Sequence, residues 1–158
     1  MAVSIDHFDH LVELMGDVAT GYDGFPTSTL QIALLDSTYT FDATVTSFYG
    51  STDITGAELA TANGYTQVSS SAATGESLAS VTSSQPSAGI WMLDAADASW
   101  TASGGTIGPA TDAVVLCHDI TSAAHPPVFT IDFGSSESAG AGTDFIVSWN
   151  SSGICRIS

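Results

Sequence analysis

Seventeen aspartate and glutamate side chains along this 158-residue chain are opposed by a single cation, Arg156, and no lysine occurs. The formal charge is −16. At most one side-chain ion pair is available, so the fold must be held by apolar burial and backbone hydrogen bonds. The same imbalance argues against whole classes of function. Binding nucleic acid by counter-ion release needs lysine and arginine against phosphates, and an anionic membrane surface repels such a chain for the same reason. The carboxylates are then solvated, hydrogen-bonded to backbone N–H groups, bound to cations, or matched by a basic partner.

Composition says that the chain folds. Its hydrophobic share is 44%, well above that of disordered chains, and this length suits one domain burying roughly 68–70% of its unfolded surface. Residues 4–19 carry Ile5, Phe8, Leu11, Val12, Met15 and Val18 at the spacing of one helical face. Ser4 suits an N-cap, and Gly21, Gly24 and Pro26 end the pattern. From Leu30 onward the pattern becomes that of strands. Residues 30–35 are apolar on both faces, as in a central strand. Residues 41–48 alternate like a half-exposed strand, and 54–62 read as a helical turn or an irregular loop. Residues 69–73 are polar and low in complexity, as in a surface loop. Further strands are expected at 90–93, 113–118, 128–133, 145–149 and 154–157, separated by Gly104-Gly105, His125-Pro126-Pro127, a loop at 134–142 and a turn at 150–153. The last two strands read as a C-terminal hairpin with Phe145, Val147 and Trp149 on one face. The expected architecture is mainly β: an antiparallel sandwich, or a barrel-like variant of it, over residues 27–158, preceded by a short helical arm over 1–26.

Few residues suggest chemistry. No nucleophile elbow, phosphate loop, paired metal-binding cysteines or zinc-protease helix is present. His7 and His10 stand three apart beside Asp6 and Asp9, a spacing that two metal ligands could use, although with no other His or Cys cluster nearby a solvated polar helix face is the expected reading. Cys117 and His118 are adjacent in an expected strand and so point to opposite faces, which opposes a catalytic pair. His125 reads as a loop residue. Cys117 and Cys155 sit in apolar runs and read as buried thiols; a disulfide would need neighbouring strands. Asp112, Asp119, Asp132 and Glu137 flank turns, where oxygen ligands could hold surface calcium or magnesium ions, yet no spacing matches a known calcium loop and no ligand set emerges. Trp91, Trp100 and Trp149 read as packing aromatics, with a carbohydrate platform as the alternative. No cofactor and no catalytic residue is expected. The N-terminal residues lack the basic start and unbroken apolar stretch of a secretion signal, and no apolar run reaches the length of a membrane span. A soluble product made in the cytoplasm is expected.

The later residues carry a resemblance. Thr130-Ile131-Asp132-Phe133-Gly134, then a Ser/Gly-rich loop, then residues 144–154 (Asp144-Phe145-Ile146-Val147-Ser148-Trp149-Asn150-Ser151-Ser152-Gly153-Ile154), resemble the C-terminal end of a family of small tailed-bacteriophage virion proteins of head-decoration, cement or head-fibre type. Ile32-Ala33-Leu34-Leu35, Tyr39-Thr40, Gly64-Tyr65-Thr66, Asp97-Ala98-Ser99-Trp100-Thr101 and residues 113–116 are similar to its earlier parts. The similarity spans about residues 30–157. Two features depart from it: the stretch before Pro26 is added or lengthened, and lysine is absent. The resemblance implies a non-enzymatic structural protein of the virion, a capsid decoration or cement subunit binding the outside of the head. Its expected partners are the major capsid protein and copies of itself as a trimer. Phe8, Leu11, Val12 and Met15 are the expected contact residues. A tail, neck, baseplate or fibre subunit is the alternative, and a glycan-binding module a more distant one.

Overall fold

An apolar run with no polar face needs cover on both sides, and the computed structural model supplies it. The model describes residues 4–8, 29–49, 52–68, 74–118 and 125–157. Residues 30–35 lie in β2 (Thr29–Leu35), within a five-stranded antiparallel sheet. The sheet's order is β1 (Ser4–His7), β8 (Pro127–Ala139), β7 (Ile107–His118), β2 and β3 (Glu76–Ser77). Leu30, Ile32 and Leu34 share one core with Ala113, Val115 and Cys117 of β7 and with Phe129 and Ile131 of β8. Ala33 and Leu35, with Val114 and Leu116 of β7, face the opposite way into a second core. That is the period-two alternation of a strand with both faces dry.

Two smaller antiparallel sheets close the first core. One has the order β10 (Cys155–Ile157), β5 (Ile90–Asp94), β4 (Thr82–Ser87); the other pairs β6 (Ala98–Thr101) with β9 (Asp144–Val147). Leu93, Trp100, Phe145 and Val147 bring their side chains from these sheets onto the large one. The result is a layered, mainly β structure with no closed barrel. The second core is roofed by the connection after β2, through Phe48 and Ile54, with Tyr39, Phe41, Val45 and Tyr49 packed at its margin. Within that roof lies α1 (Thr52–Ala57), the only helix among the described residues. No helix there is long and apolar enough to cross a membrane.

Four expectations are corrected. Ser4–His7 is not the start of a helix but a strand, with Ile5 opposite Ile131 and Asp6 opposite Thr130 of β8. The remainder of the expected helix, including Leu11, Val12, Met15 and the terminating Gly21, Gly24 and Pro26, lies outside the described residues, as do residues 69–73. Residues 41–48 form no strand. Asp42 accepts hydrogen bonds from the Thr44 N–H (2.9 Å) and hydroxyl (2.7 Å), and Val45 N–H donates to the Asp42 carbonyl; such local bonds turn the chain instead of extending it. The loop expected at 134–142 is mostly strand. From Gly134 to Ser138, β8 runs through small or polar residues that leave the pairing without an apolar signature, before Ala139 re-enters the core opposite Ile107. The C-terminal hairpin does not form either. Strand β9 pairs with β6 and β10 pairs with β5, so the two strands belong to different sheets. The turn between them exists, with Gly153 N–H donating to the Asn150 carbonyl at 2.8 Å, but Ile154 N–H then donates to Leu93 and steers the chain to β5.

Asn63-Gly64 makes a second tight turn. Ala62 and Tyr65 exchange backbone hydrogen bonds of 3.1 and 2.9 Å across it, with φ of 55° at Asn63 and 98° at Gly64. Two positive φ values in succession define the turn type that favours this dipeptide. The turn is packed against the 101–106 segment: Asn63 Nδ2 donates to the Thr106 carbonyl at 2.8 Å. A Cβ on Gly64 would collide with the carbonyl oxygen of Thr101. Gly64→Ala is therefore expected to lower stability by more than about 2 kcal/mol, read as a fall in the urea unfolding midpoint. A midpoint shifted by less than half that amount would mean the turn tolerates a side chain.

Candidate functional site

The expected site residues scatter. Phe8 is fully buried, edge-on to Phe41 with centroids 5.1 Å apart. It therefore packs into its own chain and offers no face to a partner. Leu11, Val12 and Met15 lie outside the described residues. His7 is exposed on β1, and its companion His10 is not described. Cys117 is buried in the first core, Cys155 is half-buried on β10, and the two are not joined by a disulfide. His118 ends β7, and Asp119 is outside the described residues. His125 is wholly buried, with its carbonyl accepting from Phe48 N–H at 3.2 Å, so it fastens the roof to the sheet. Trp100 is buried between Tyr65 and Phe145 as a packing aromatic. Trp149 is half-buried, and its indole N–H donates to the Ala96 carbonyl at 3.0 Å. Asp112 and Asp132 face each other across β7 and β8; burial, reinforced by the Asp132 charge, pushes the Asp112 carboxyl up from its ordinary value. No three His, Cys, Asp or Glu among the described residues gather as metal ligands would.

One carboxyl that composition alone could not single out is Glu58. It is 9% exposed and holds a chain of bonds together. Leu34 N–H donates to the Tyr65 hydroxyl (3.0 Å), which donates to Glu58 Oε1 (2.8 Å), which also accepts from Val68 N–H (2.8 Å). This network ties the Asn63-Gly64 turn to β2. Burial outweighs the two donors and raises the carboxyl to about 7.

The feature best suited to a partner is a groove between the sheets. Two adjoining hollows of about 340 and 470 Å3 share Phe133 and Ile146. Ile5, Ile131, Trp149 and Ile154 line the larger one, while Glu137 and Asp144 stand in the smaller. Its origin is topological. Strand β1 is the outer strand of the large sheet, and β9 has β6 as its one neighbour, so both leave an unpaired edge among the described residues. Ile5 lies on the same face as its cross-strand partner Ile131. Ile5 at 45% and Ile146 at 55% exposure are the large apolar side chains left in water among the described residues. The groove can bind by apolar contact and by backbone pairing at a free edge. Comparison with protein-family models, curated proteins and solved structures finds no match to this chain.

Two outcomes follow. In the unfolded chain Glu58 ionises near its ordinary value of 4.5, and in the folded protein near 7. Between these values the native state keeps a proton that the unfolded state gives up. The stability this site contributes is therefore complete below pH 4.5 and is lost as pH rises through 7, a loss of up to about 3 kcal/mol. Glu58→Gln is expected to match the parent at pH 4.5 and exceed it at pH 8 in thermal unfolding; equal profiles for the two proteins would mean that Glu58 ionises like a surface carboxylate. At the groove, Ile5→Ser and Ile146→Ser are each expected to change stability by no more than about 1 kcal/mol, because little apolar area returns to water. A loss of several kcal/mol would place these side chains in the core.

Proposed function

We propose that this chain is a structural protein of a tailed-bacteriophage virion, a decoration or cement subunit that binds the outer surface of the head. Its partners in this reading are the major capsid protein and copies of itself arranged as a trimer. The observation that carries the reading is where the groove's residues come from. The two stretches that resemble phage virion proteins, residues 130–134 and 144–154, supply Phe133, Ile146, Trp149 and Ile154 of its lining. An open apolar groove on a strongly acidic protein is a surface suited to being covered, since exposed apolar patches of this kind mark interaction sites. A shell lattice offers what a cement subunit needs: contact area that becomes dry on assembly.

Quantitative mass spectrometry of purified particles tests the proposal. Hundreds of copies per particle are expected for a head-decorating subunit. A handful of copies would move the protein to the tail, neck, baseplate or a fibre, and its absence from finished particles would overturn the virion assignment altogether.

A further inference from the structure

We infer that the groove takes an extended, lysine- or arginine-bearing peptide segment of the partner protein, laid along the free edge of β9. The inference rests on the reading of the chain as an assembly protein and names the occupant of its docking site. Three observations support it. Strand β9 pairs with β6 on one side, and its outer edge borders the groove, so an added strand finds backbone donors and acceptors unpaired among the described residues. The space between Phe133, Ile146 and Trp149 accepts apolar side chains, at the alternate positions a strand would present. Glu137 and Asp144 stand at one end of the groove, both exposed, and the chain's single cationic side chain, Arg156, is not among the lining residues.

Charge decides among occupants. A second copy of this chain brings another −16 with it and is repelled from an acidic rim, so contacts between copies belong to other surfaces. A polyanion meets the same repulsion. A cationic strand is drawn to the rim, and its apolar side chains then fill the hollow.

The test uses the full chain and a synthetic ten-residue peptide alternating valine and lysine, with a twin in which glutamate replaces lysine. Binding is measured by calorimetry at about 0.15 M salt and mapped by amide chemical shifts. The expected result is saturable binding of the lysine peptide alone, with shifts confined to Phe133, Asp144, Ile146 and their strand neighbours. Ile146→Lys should abolish binding, and the double substitution Glu137→Gln with Asp144→Asn should weaken it about tenfold while the apolar floor stays intact. Equal binding of the two peptides, shifts spread over the acidic surface, or binding unaffected by Ile146→Lys would overturn the inference. So would self-association of the parent that Ile146→Lys removes, since the groove would then be a contact between copies. Failure of the virion reading looks different: the protein would be missing from particles even where the peptide binds. If the protein is incorporated normally and the lysine peptide fails to bind, the inference falls and the virion reading stands.

Discussion

Everything in this fold depends on β2 and residues 113–117 of β7 being dry on both faces. A chain with one cation cannot offset lost solvation by pairing charges, so its cohesion must come from apolar area. Leu30, Ile32 and Leu34 fill one core and Leu35 the other, each fully buried, and a fully buried side chain of this size is worth about 1.5–3 kcal/mol. The small sheets and the roof of residues 39–49 and 52–68 are what those two faces require as cover. Apart from the buried Glu58, carboxylates are left to the margins, where several find backbone or hydroxyl partners close by in sequence. Asp36 accepts from Thr38, Asp42 from Thr44 and Asp132 from Gly134. Bonds from the Thr44 hydroxyl and backbone hold the Asp42 carboxyl below its ordinary value. Acidity and turn formation thus become a single device after β2, where Asp36 and Asp42 close turns, while the Asp132 bond sits beside an irregularity within β8.

That device also explains which parts of the fold were legible. The run at 30–35 could be read as a central strand because two-sided burial leaves no polar period. Alternation between Thr and Val at 41–48 looked the same on paper as a half-exposed strand, yet Asp42 captured Thr44 and turned the chain. The signal lay in the Asp-x-Thr spacing and not in the hydropathy. Asn63-Gly64 likewise carried its turn type in the dipeptide itself, a signal the reading by hydropathy passed over. Residues 134–138 were illegible for the opposite reason: they are small or polar and not buried, so their side chains carry no apolar period before Ala139 re-enters the core opposite Ile107. The hairpin expected at the C-terminus failed because a tight turn fixes that the chain bends, and cannot fix which strand it meets next. Leu93 decided that, by accepting from Ile154.

The candidate site was less legible than the fold. Its lining comes from residue 5, from residues 131–133 and from 146–154, stretches that no local pattern connects. The resemblance drew attention to the last two without indicating that they meet. The contact residues expected from helical spacing went astray at the first of them. Phe8 follows a strand, and its ring is held against Phe41 inside the protein. Ile5, which shares the same apolar spacing, is the residue that remains outside. A helical stripe and a short strand give similar patterns over four residues, and only the partner strand β8 separates them.

An open groove between two sheet edges that no described residue pairs is ordinarily a hazard, because unpaired strands of identical molecules add to one another. Proteins blunt such edges with charge, and the charged side chains lining the groove are all acidic. Each copy presents carboxylates at Glu137 and Asp144 beside its own free edge. Two copies approaching edge to edge therefore meet like charges in the very strands that would pair, while a cationic strand meets none. The acidity that leaves the fold a single cationic side chain to pair is, in the proposed reading, a filter at the groove. In the proposed reading it opposes self-addition and leaves the edge of β9 to partners of opposite charge, a form of specificity that costs the apolar core nothing.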